Sequence, residues 1–352
     1  MRIAITGGAG FIGSNFVHYW LREHGEDSVA VIDRLTYAGN MKNLGAALTH
    51  PRFEFFPLDV VSPEVADAVA GADAVVHFAA ESHVDRSILN AGEFVRTNVQ
   101  GTHQLLEACR QNHVSRFILV STDEVYGSLG PAGEFTESSN LSPNSPYAAS
   151  KAAADLLALS YVQTHGFPAI VTRCSNNYGP FQFPEKFIPL MIAQTLADQP
   201  LPIYGDGQNV RDWIHVEDHC RAIDFIIQHG KEGEVYNIGG ECQQRNLDVA
   251  HAILEHLGKP RSLIQFVLDR PGHDRRYAIN CTKLKTKLGW QPRWSFPSGL
   301  RETIRWYQEN DEWLNEIRSG TYRDYFEKHY VRRDQVFAKE LQLRSEAAVG
   351  GR

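Results

Sequence analysis

The sequence predicts an α/β fold, with a doubly wound parallel sheet and a smaller α+β second domain. In the first half of the chain, short apolar runs alternate with amphipathic or polar segments; the runs are RIAIT, VAVID, FEFFPLD, AVVHFAA, RFILVST and PAIVTRC. This alternation is typical of βαβ units in a parallel sheet. This alternation ends at about residue 180. Segments interrupted by proline and glycine follow, such as PIYGDGQNVRDW. The change of pattern predicts that a second domain begins there.

Composition and charge favour a small-molecule partner. The chain has 352 residues with 35 basic and 42 acidic side chains, a net charge of -7 and no block of like charge. We therefore expect neither a nucleic-acid nor a membrane-surface partner. The chain starts on the strand-like run MRIAIT, and no apolar stretch approaches membrane-spanning length. These features predict a cytoplasmic protein.

The spacing of the cysteines and of one histidine pair bears on whether the protein binds a metal. The cysteines show no C-x-x-C spacing, which argues against a disulfide framework or a thiolate metal site. They are Cys109, Cys174, Cys220, Cys242 and Cys281. In HVEDH, His215 and His219 could share a helix face, but Glu217 breaks the H-E-x-x-H order and no third ligand is indicated. We prefer helix-start packing for these histidines and expect no metal.

The strand RIAIT leads into a glycine-rich turn, ITGGAGFIGSNF, that opens a predicted helix. Gly8, Gly10 and Gly13 satisfy G-x-G-x-x-G, and Gly7, Gly10 and Gly13 satisfy G-x-x-G-x-x-G. Glycines at these places allow a tight turn and let backbone N–H groups and a helix N-terminus approach a diphosphate. A glycine cluster alone is weak support, but its position between a strand and a helix predicts a dinucleotide site.

An acidic residue at the end of the next strand indicates which dinucleotide is bound. VAVID ends on Asp33, 20 residues after Gly13. A carboxylate at this place accepts hydrogen bonds from ribose hydroxyls and repels a 2'-phosphate. NAD is therefore the expected cofactor, and the neighbouring Arg34 leaves NADP as an alternative.

SPYAASK places Tyr147 and Lys151 four residues apart, on one face of a predicted helix. An isolated pair of this kind is usually a chance surface feature, but this one follows a dinucleotide motif. Lowering a phenol pKa from about 10 to about 7 requires about 4 kcal/mol. A cation roughly 4 Å away, at an effective dielectric of about 20, supplies an interaction of that size. We expect Lys151, helped by oxidised nicotinamide, to make Tyr147 a general base for a sugar or alcohol hydroxyl.

STDEVYG places two carboxyl groups, Asp123 and Glu124, directly after the apolar run RFILV. Adjacent residues of a strand face opposite sides, so the backbone must turn at Asp123 if both groups are to reach one ligand. The alternative is two solvated acids in a surface loop.

Six motifs in order resemble those of the dTDP-glucose 4,6-dehydratases, a family of extended short-chain dehydrogenase/reductases, over nearly the whole chain to about residue 330. They are RLTYAGNMKNL, ESHVDRSI, STDEVYG, NNYGPFQFPEKFIP, YGDGQNVRDWIHVEDH and RPGHDRRYAI. The resemblance implies a Rossmann-type NAD-binding domain over residues 1–180, joined by a returning segment near 212–240. It further implies a sugar-nucleotide-binding domain over residues 181–335 and a C-terminal tail over 336–352.

The resemblance also implies a reaction and the roles of five residues. C4 of glucose is oxidised by hydride transfer to NAD, water is lost across C5 and C6, and the hydride returns to C6. Oxidation comes first because the C5 proton is hardly acidic until C4 is a ketone. Asp123 is implied as the acid towards the C6 hydroxyl and Glu124 as the base at C5. Tyr147, supported by Lys151, accepts the C4 hydroxyl proton, and Thr122 orients the C4 oxygen.

Binding residues follow from the same resemblance. Those expected to bind the cofactor are Gly7, Gly10, Phe11, Ile12, Gly13, Asp33, Asp59, Val60, Ala79, Ala80, Ser82, Asn98, Ser121, Tyr147, Lys151 and Asn177. Those expected to bind the substrate are Ser82, His83, Thr122, Asn176, Lys186, Tyr204, Arg211, Asn246, Arg270 and His273. The arginines suit a bidentate grip on phosphate oxygens.

Three alternatives remain open: a UDP-glucose 4,6-dehydratase, a sugar-nucleotide 4-epimerase and a non-catalytic NAD-binding sensor. Thymine and uracil differ by one methyl group, which is worth only about 1 to 3 kcal/mol in a pocket. Epimerases typically lack the acidic pair, and a sensor would be expected to have lost part of the catalytic set. The resemblance favours a homodimer formed through helices near residues 92–112 and 147–166.

Overall fold

The computed structural model describes residues 1–319. The predicted tail at residues 336–352 and the end of the predicted second domain lie outside the described residues. The strands are β1 (Arg2–Thr6), β2 (Ser28–Ile32), β3 (Phe53–Phe56), β4 (Ala74–His77), β5 (Arg116–Thr122), β6 (Ala169–Cys174), β7 (Asn176–Tyr178), β8 (Leu201–Tyr204), β9 (Val210–His215), β10 (Val235–Ile238), β11 (Gln243–Arg245) and β12 (Ile264–Val267).

Helices follow most of these strands. They are α1 (Phe11–Glu23), α2 (Val65–Ala68), α3 (Val84–Leu89), α4 (Ala91–Phe94), α5 (Gly101–Gln111), α6 (Pro146–His165), α7 (Phe187–Leu196), α8 (Val216–His229), α9 (Asn246–His256), α10 (Thr282–Leu288), α11 (Phe296–Glu309) and α12 (Asp311–Ser319). A π-helical segment, Val95–Gln100, joins α4 to α5. None of the helices within residues 1–319 has both the length and the apolar character needed to cross a membrane.

Seven parallel strands form the central sheet in the order β10-β6-β5-β4-β1-β2-β3. The six apolar runs of the sequence are its first six strands along the chain, which confirms the predicted doubly wound parallel sheet. The strand order reverses at β1, because β2 and β3 lie on one side of it and β4, β5 and β6 on the other. Ligands of open α/β sheets bind at such a reversal, beyond the carboxyl ends of the strands.

Helices cover both faces of the central sheet because alternate strand residues point to opposite sides. On β1, Ile3 and Ile5 belong to the apolar cluster that contains Trp20 of α1, whereas Ala4 belongs to the cluster that contains Leu105 of α5. All five side chains are fully buried. Burial stabilises such a large apolar side chain by roughly 1.5 to 3 kcal/mol, so the two helical layers hold the sheet and its loop-bearing edge in place.

A second, smaller region follows β6. It contains two short sheets, β11-β9-β7 and β8-β12, and a separate apolar cluster that includes Met191 of α7, Ile253 of α9 and Ile304 of α11. The chain returns to the central part through α8, which packs on α1, and through β10, which pairs in parallel with β6. Loops of the second region consequently lie near the carboxyl edge of the central sheet.

A buried ion pair joins β6 to α6. The Arg173 Nε atom donates to Asp155 Oδ2 at 2.9 Å, and the two side chains are 4% and 0% exposed. Arg173 also donates to the Tyr126 hydroxyl and lies over that ring. Each buried charge is thus compensated by the other.

Replacing Arg173 with methionine should destabilise the protein by about 3 to 5 kcal/mol, because Asp155 would remain as an unpaired buried carboxylate. Urea unfolding followed by tryptophan fluorescence gives the free energy of unfolding. The exposed pair of Arg305 and Glu302 provides a matched control, in which Arg305→Met should change that free energy by less than about 1 kcal/mol. Equal effects of the two substitutions would contradict the stabilising role of the buried pair.

Candidate active site

A cavity lies at the carboxyl ends of β1, β4, β5 and β6, where the strand order reverses. We call it the first cavity. Every residue expected to bind the cofactor lines it except Asn98, and Thr122, Asp123 and Glu124 line it as well. The structure therefore brings the glycine turn, the acidic pair and the Tyr147–Lys151 pair to one place.

Two glycines of the turn, Gly7 and Gly13, lie where the structure leaves no room for a side chain. Gly7 has a φ of +68°, and a Cβ atom on it would lie 2.6 Å from the backbone nitrogen of Ala79, in the loop after β4. A Cβ atom on Gly13 would lie 2.2 Å from the Gly7 carbonyl oxygen. Helix α1 begins at Phe11, and its N-cap, Gly10, provides no side-chain hydrogen bond. The first N–H groups of α1 are thus available to a diphosphate, as the glycine motif predicts.

Asp33 lies at the end of β2 and is buried beside the glycine turn. Its carboxylate accepts from the backbone nitrogens of Ala9 and Leu35, at 2.9 and 2.8 Å. A carboxylate has more acceptor positions than these two bonds use, so it can still accept from ribose hydroxyls. Burial, although opposed by these bonds, raises the pKa of Asp33.

The neighbouring Arg34 is already engaged by acidic residues. Its guanidinium donates to Asp59 Oδ2 at 2.9 Å and to Glu81 Oε1 at 3.1 Å. Asp59 also accepts from Arg96 at 2.8 Å. A 2'-phosphate would have to compete with these carboxylates for Arg34, so the arrangement favours NAD over NADP.

Asn98 lies behind the wall of the first cavity. Its Oδ1 atom accepts from the backbone nitrogen of Glu81 at 2.9 Å, and its Nδ2 atom donates to the Glu81 carbonyl at 3.0 Å and to Ser150 Oγ at 2.8 Å. Ser150 belongs to α6. Asn98 therefore holds the loop that carries Glu81 and Ser82 against the helix that carries Tyr147.

The backbone turns at Asp123, as two neighbouring carboxyl groups facing one ligand require. β5 ends at Thr122, and a short 3-10 helix, Asp123–Tyr126, begins directly after it. Thr122 Oγ1 caps this helix by accepting from the backbone nitrogen of Glu124 at 3.2 Å. The change from strand to helix brings both side chains to the first cavity.

The surroundings of the two carboxyl groups act on their pKa values through different charges. Burial, then the charges of Glu124 and Asp212, raise the pKa of Asp123 well above its usual value, which favours the protonated form. Burial also raises the pKa of Glu124, but Arg270 and Arg211 oppose that shift and stabilise the carboxylate. The pair can therefore present an acid and a base together.

Tyr147 and Lys151 lie on α6 beside this pair. Burial, followed by the charge of Glu124, raises the pKa of Tyr147 well above its usual value of 10. A hydrogen bond between the Thr122 hydroxyl and the phenol opposes this shift. The Lys151 Nζ atom donates to the Val120 carbonyl at 2.7 Å. Burial and the neighbouring carboxylate therefore both oppose the lowered phenol pKa that we expect from Lys151 and oxidised nicotinamide.

A second cavity adjoins the first. Residues that line both are Ser82, Glu124, Asn176, Glu185 and Lys186. Every residue expected to bind the substrate lines the second cavity except Thr122, which lines the first. Residues from both regions of the fold therefore meet around two adjoining cavities, and Glu124 of the acidic pair lines both.

Paired charges and aromatic rings form the far side of the second cavity. The Tyr204 hydroxyl donates to Asp85 Oδ2 at 2.9 Å, and Arg270 Nη1 lies 3.5 Å from Asp85 Oδ1. The Asp85 side chain is 0% exposed. The Arg211 guanidinium lies 4.3 Å from the ring centre of Tyr277. Held in this way, the two arginines can bind a diphosphate without first having to be ordered.

Two buried amide oxygens provide independent support for a polar ligand. Asn176 Oδ1 and Asn246 Oδ1 are buried and have no hydrogen-bond partner within residues 1–319. Buried polar groups are normally paired. Both residues line the second cavity, so a ligand that donates hydrogen bonds would satisfy them.

The sequence interpretation missed several residues that line the two cavities. They include Thr36, Gln182 and Phe183 in the first cavity and Asp85 and Tyr277 in the second. Each lies inside a motif on which the family resemblance rests, so a signal was present. Side-chain direction within a loop cannot be inferred from a motif alone.

His215 and His219 lie at the junction of β9 and α8. His215 is the N-cap of α8, and its Nδ1 atom accepts from the backbone nitrogen of Glu217 at 3.4 Å. His219 Nδ1 is 2.9 Å from Asn177 Oδ1. These contacts fit the predicted helix-start packing. No group of three or more His, Cys, Asp or Glu side chains in the described part of the chain could hold a metal ion.

Comparisons with known proteins agree with this geometry. Residues 4–303 match a family model described as GDP-mannose 4,6 dehydratase. A dTDP-glucose 4,6-dehydratase from Streptomyces niveus is 50% identical to the chain over 324 residues, which cover 91% of this chain and 96% of the relative.

Solved structures show the same relationship. A dTDP-glucose 4,6-dehydratase from Streptomyces venezuelae, crystallised with NAD bound, has a TM-score of 0.88 and 49% identity, and the match covers 90% of this chain and 100% of that chain. A UDP-glucose 4-epimerase from Thermus thermophilus, in complex with NAD, has a TM-score of 0.82 and 31% identity, and the match covers 88% of this chain and 100% of that chain. The chain therefore belongs to the family described as GDP-mannose 4,6 dehydratase and, within it, to the dTDP-glucose 4,6-dehydratases.

Proposed function

We propose that this protein is a dTDP-glucose 4,6-dehydratase that uses NAD. The observation that carries the proposal is the pair at the end of β5, where Asp123 and Glu124 both line the first cavity. Burial raises the pKa of Asp123 well above its usual value, and two arginines oppose the rise at Glu124. Removing water across C5 and C6 of glucose takes a proton from a carbon and gives one to the departing oxygen. The pair has one group suited to each task.

The side chains of the site divide the reaction between them. Tyr147 accepts the proton of the C4 hydroxyl, whose oxygen Thr122 orients. A phenolate at Tyr147 is stabilised by positive charge, which Lys151 and the oxidised cofactor both carry. When C4 is a ketone, Glu124 removes the C5 proton and Asp123 protonates the departing C6 oxygen. Bound NAD supplies a hydride acceptor that is regenerated within each turnover.

The first cavity suits NAD, and the second suits the sugar nucleotide. A diphosphate fits beside the glycine turn, where it meets the first N–H groups of α1, and the Asp33 carboxylate fits the ribose that follows. Arg211 and Arg270 suit the diphosphate of the substrate. We infer that residues 1–180 with the returning segment 212–240 bind NAD and that residues 181–335 bind the sugar nucleotide. The position of β10 in the central sheet supports the returning segment.

A 4-epimerase is the main competing function, because the Thermus thermophilus epimerase shares the fold. Epimerisation at C4 removes no water and does not need an acid and a base directed at C5 and C6. The presence of two carboxyl groups, Asp123 and Glu124, at the first cavity therefore favours the dehydratase.

We also infer that the protein works in the cytoplasm as a homodimer, without a nucleic-acid or membrane partner. The expected interface is formed by helices near residues 92–112 and 147–166, which pack side by side as α5 and α6. These helices and the adjoining π-helical segment expose apolar side chains, with Val95 50% and Leu156 59% exposed. Exposed apolar groups on neighbouring helices suit an interface between two copies.

Incubation of the purified protein with dTDP-glucose should give a product lighter by one water, detected by mass spectrometry. UDP-glucose in a parallel reaction tests the preference for the base. An unchanged mass of both sugar nucleotides, even with NAD supplied, would contradict the proposed function.

Glu124→Gln should slow the loss of water by about 10²- to 10⁴-fold, because a neutral amide cannot accept the C5 proton. Calorimetric binding of dTDP should be retained, since the glutamine keeps the size of the side chain. The exposed Glu302 of α11 provides a control, in which Glu302→Gln should leave both quantities unchanged. If Glu124→Gln removed water from dTDP-glucose at the wild-type rate, Glu124 would not be the base.

The rate at saturating dTDP-glucose should fall on the acid side with an apparent pKa above 4.5, because burial raises the pKa of Glu124 from that value and a protonated Glu124 cannot act as a base. Arg270 lowers this pKa, so Arg270→Gln should move the acid limb to higher pH. The measurement is the rate of water loss as a function of pH. A limb that stays in place or moves to lower pH in Arg270→Gln would contradict this assignment.

A further inference from the structure

A loop that borders the first cavity has contacts that cofactor binding alone does not explain. We call residues 34–40 the strap. Thr36, Ala38 and Gly39 of the strap line the first cavity. At one end of the strap, the backbone nitrogen of Leu35 donates to Asp33 Oδ1. At the other end, the backbone nitrogen of Asn40 donates to the Ala9 carbonyl at 3.0 Å. Both ends of the strap are therefore fixed to the predicted dinucleotide site.

The middle of the strap is held by a charged hydrogen-bonded group. The Tyr37 hydroxyl donates to Glu185 Oε1 at 2.9 Å, and Arg86 Nε donates to Glu185 Oε2 at 3.0 Å. The Arg86 guanidinium lies 3.7 Å from the ring centre of Tyr37. The Glu185 side chain is 1% exposed. We call these three residues the clasp.

The clasp joins two segments that line the first cavity. One is the strap, and the other is segment 182–186, of which Gln182, Phe183, Glu185 and Lys186 line the cavity. The Tyr37 ring also meets the Phe183 ring edge to face, with 5.6 Å between ring centres. Moving the strap away from segment 182–186 requires breaking the hydrogen bond from Tyr37 to the Glu185 carboxylate. Hydrogen bonds to a charged group are stronger than neutral ones.

A catalytic cycle that returns its hydride to the same cofactor has no need to exchange that cofactor. Retaining NAD through many turnovers is then an advantage, and a strap held closed over the cofactor provides it. We propose that Tyr37, Arg86 and Glu185 act as positioning residues that keep NAD bound between turnovers by holding the strap closed. This inference rests on the proposed NAD-dependent function.

The test is the rate at which protein-bound NAD exchanges with an excess of radiolabelled NAD, without any sugar nucleotide. Tyr37→Phe keeps the ring and removes only its hydroxyl, and it should accelerate exchange about tenfold, as expected for the loss of a hydrogen bond to a charged group. The apparent KM for NAD should rise, whereas kcat at saturating NAD should stay within about twofold of wild type because Tyr37 lines neither cavity.

Tyr19→Phe is the matched control. The Tyr19 hydroxyl donates to Asp224 Oδ2 at 2.8 Å, a tyrosine–carboxylate bond of similar length outside both cavities. This variant should exchange NAD at the wild-type rate. Equal exchange rates for wild type, Tyr19→Phe and Tyr37→Phe would overturn the proposal.

A second variant tests whether the residues act as one unit. Glu185→Gln removes the charge that Arg86 pairs with, and it should also accelerate exchange. Because either change opens the same clasp, the double variant should exceed the faster single variant by no more than about twofold. Fully multiplicative effects would show that the residues act separately and would overturn the clasp.

The outcomes for the clasp and for the proposed function can be told apart. Faster NAD exchange in Tyr37→Phe, in a protein that leaves dTDP-glucose unchanged, would support the clasp and reject the proposed substrate. Loss of water from dTDP-glucose together with unaltered exchange would support the dehydratase and reject the clasp. A wild-type protein that binds no NAD would reject both.

Discussion

Burial of two neighbouring carboxyl groups is the constraint on which the rest of the site depends. A charge inside a protein is costly unless opposite charges or hydrogen bonds compensate it. Burial raises the pKa of both groups, and the charge of Glu124 adds to the rise at Asp123, whereas the cations Arg211 and Arg270 oppose the rise at Glu124. Those cations come from the second region of the fold. The electrostatic surroundings of the acidic pair therefore depend on that region lying against the central sheet.

The parallel sheet makes this meeting possible. Its strands end at one edge, so the glycine turn after β1, the loop after β4 and the acidic pair after β5 lie side by side. The loops of the second region approach the same edge, and Asp85 of α3 bonds to Tyr204 and Arg270 there. Contacts of this kind position the first and second cavities relative to each other, and Glu124 and Lys186 line both.

The fold itself does not select the reaction. A dehydratase and an epimerase both superpose on this chain with TM-scores above 0.8, at 49% and 31% identity. A shared scaffold can carry different chemistry because only a few side chains at its site need to differ. In this chain the turn from β5 into a 3-10 helix brings the two carboxyl groups of Asp123 and Glu124 to the first cavity.

The sequence by itself determined the parallel sheet, the glycine turn and the members of the two candidate pairs, Asp123 with Glu124 and Tyr147 with Lys151, because apolar periodicity and short motifs report local backbone structure. Only the tertiary structure decided that burial raises the pKa of Asp123 and of Tyr147, and that Asn98 supports the cavity wall from behind. It also joined Tyr37 to Glu185, 148 residues apart. Protonation and contacts of this kind depend on burial and on charges from distant segments, and those exist only once the chain has folded.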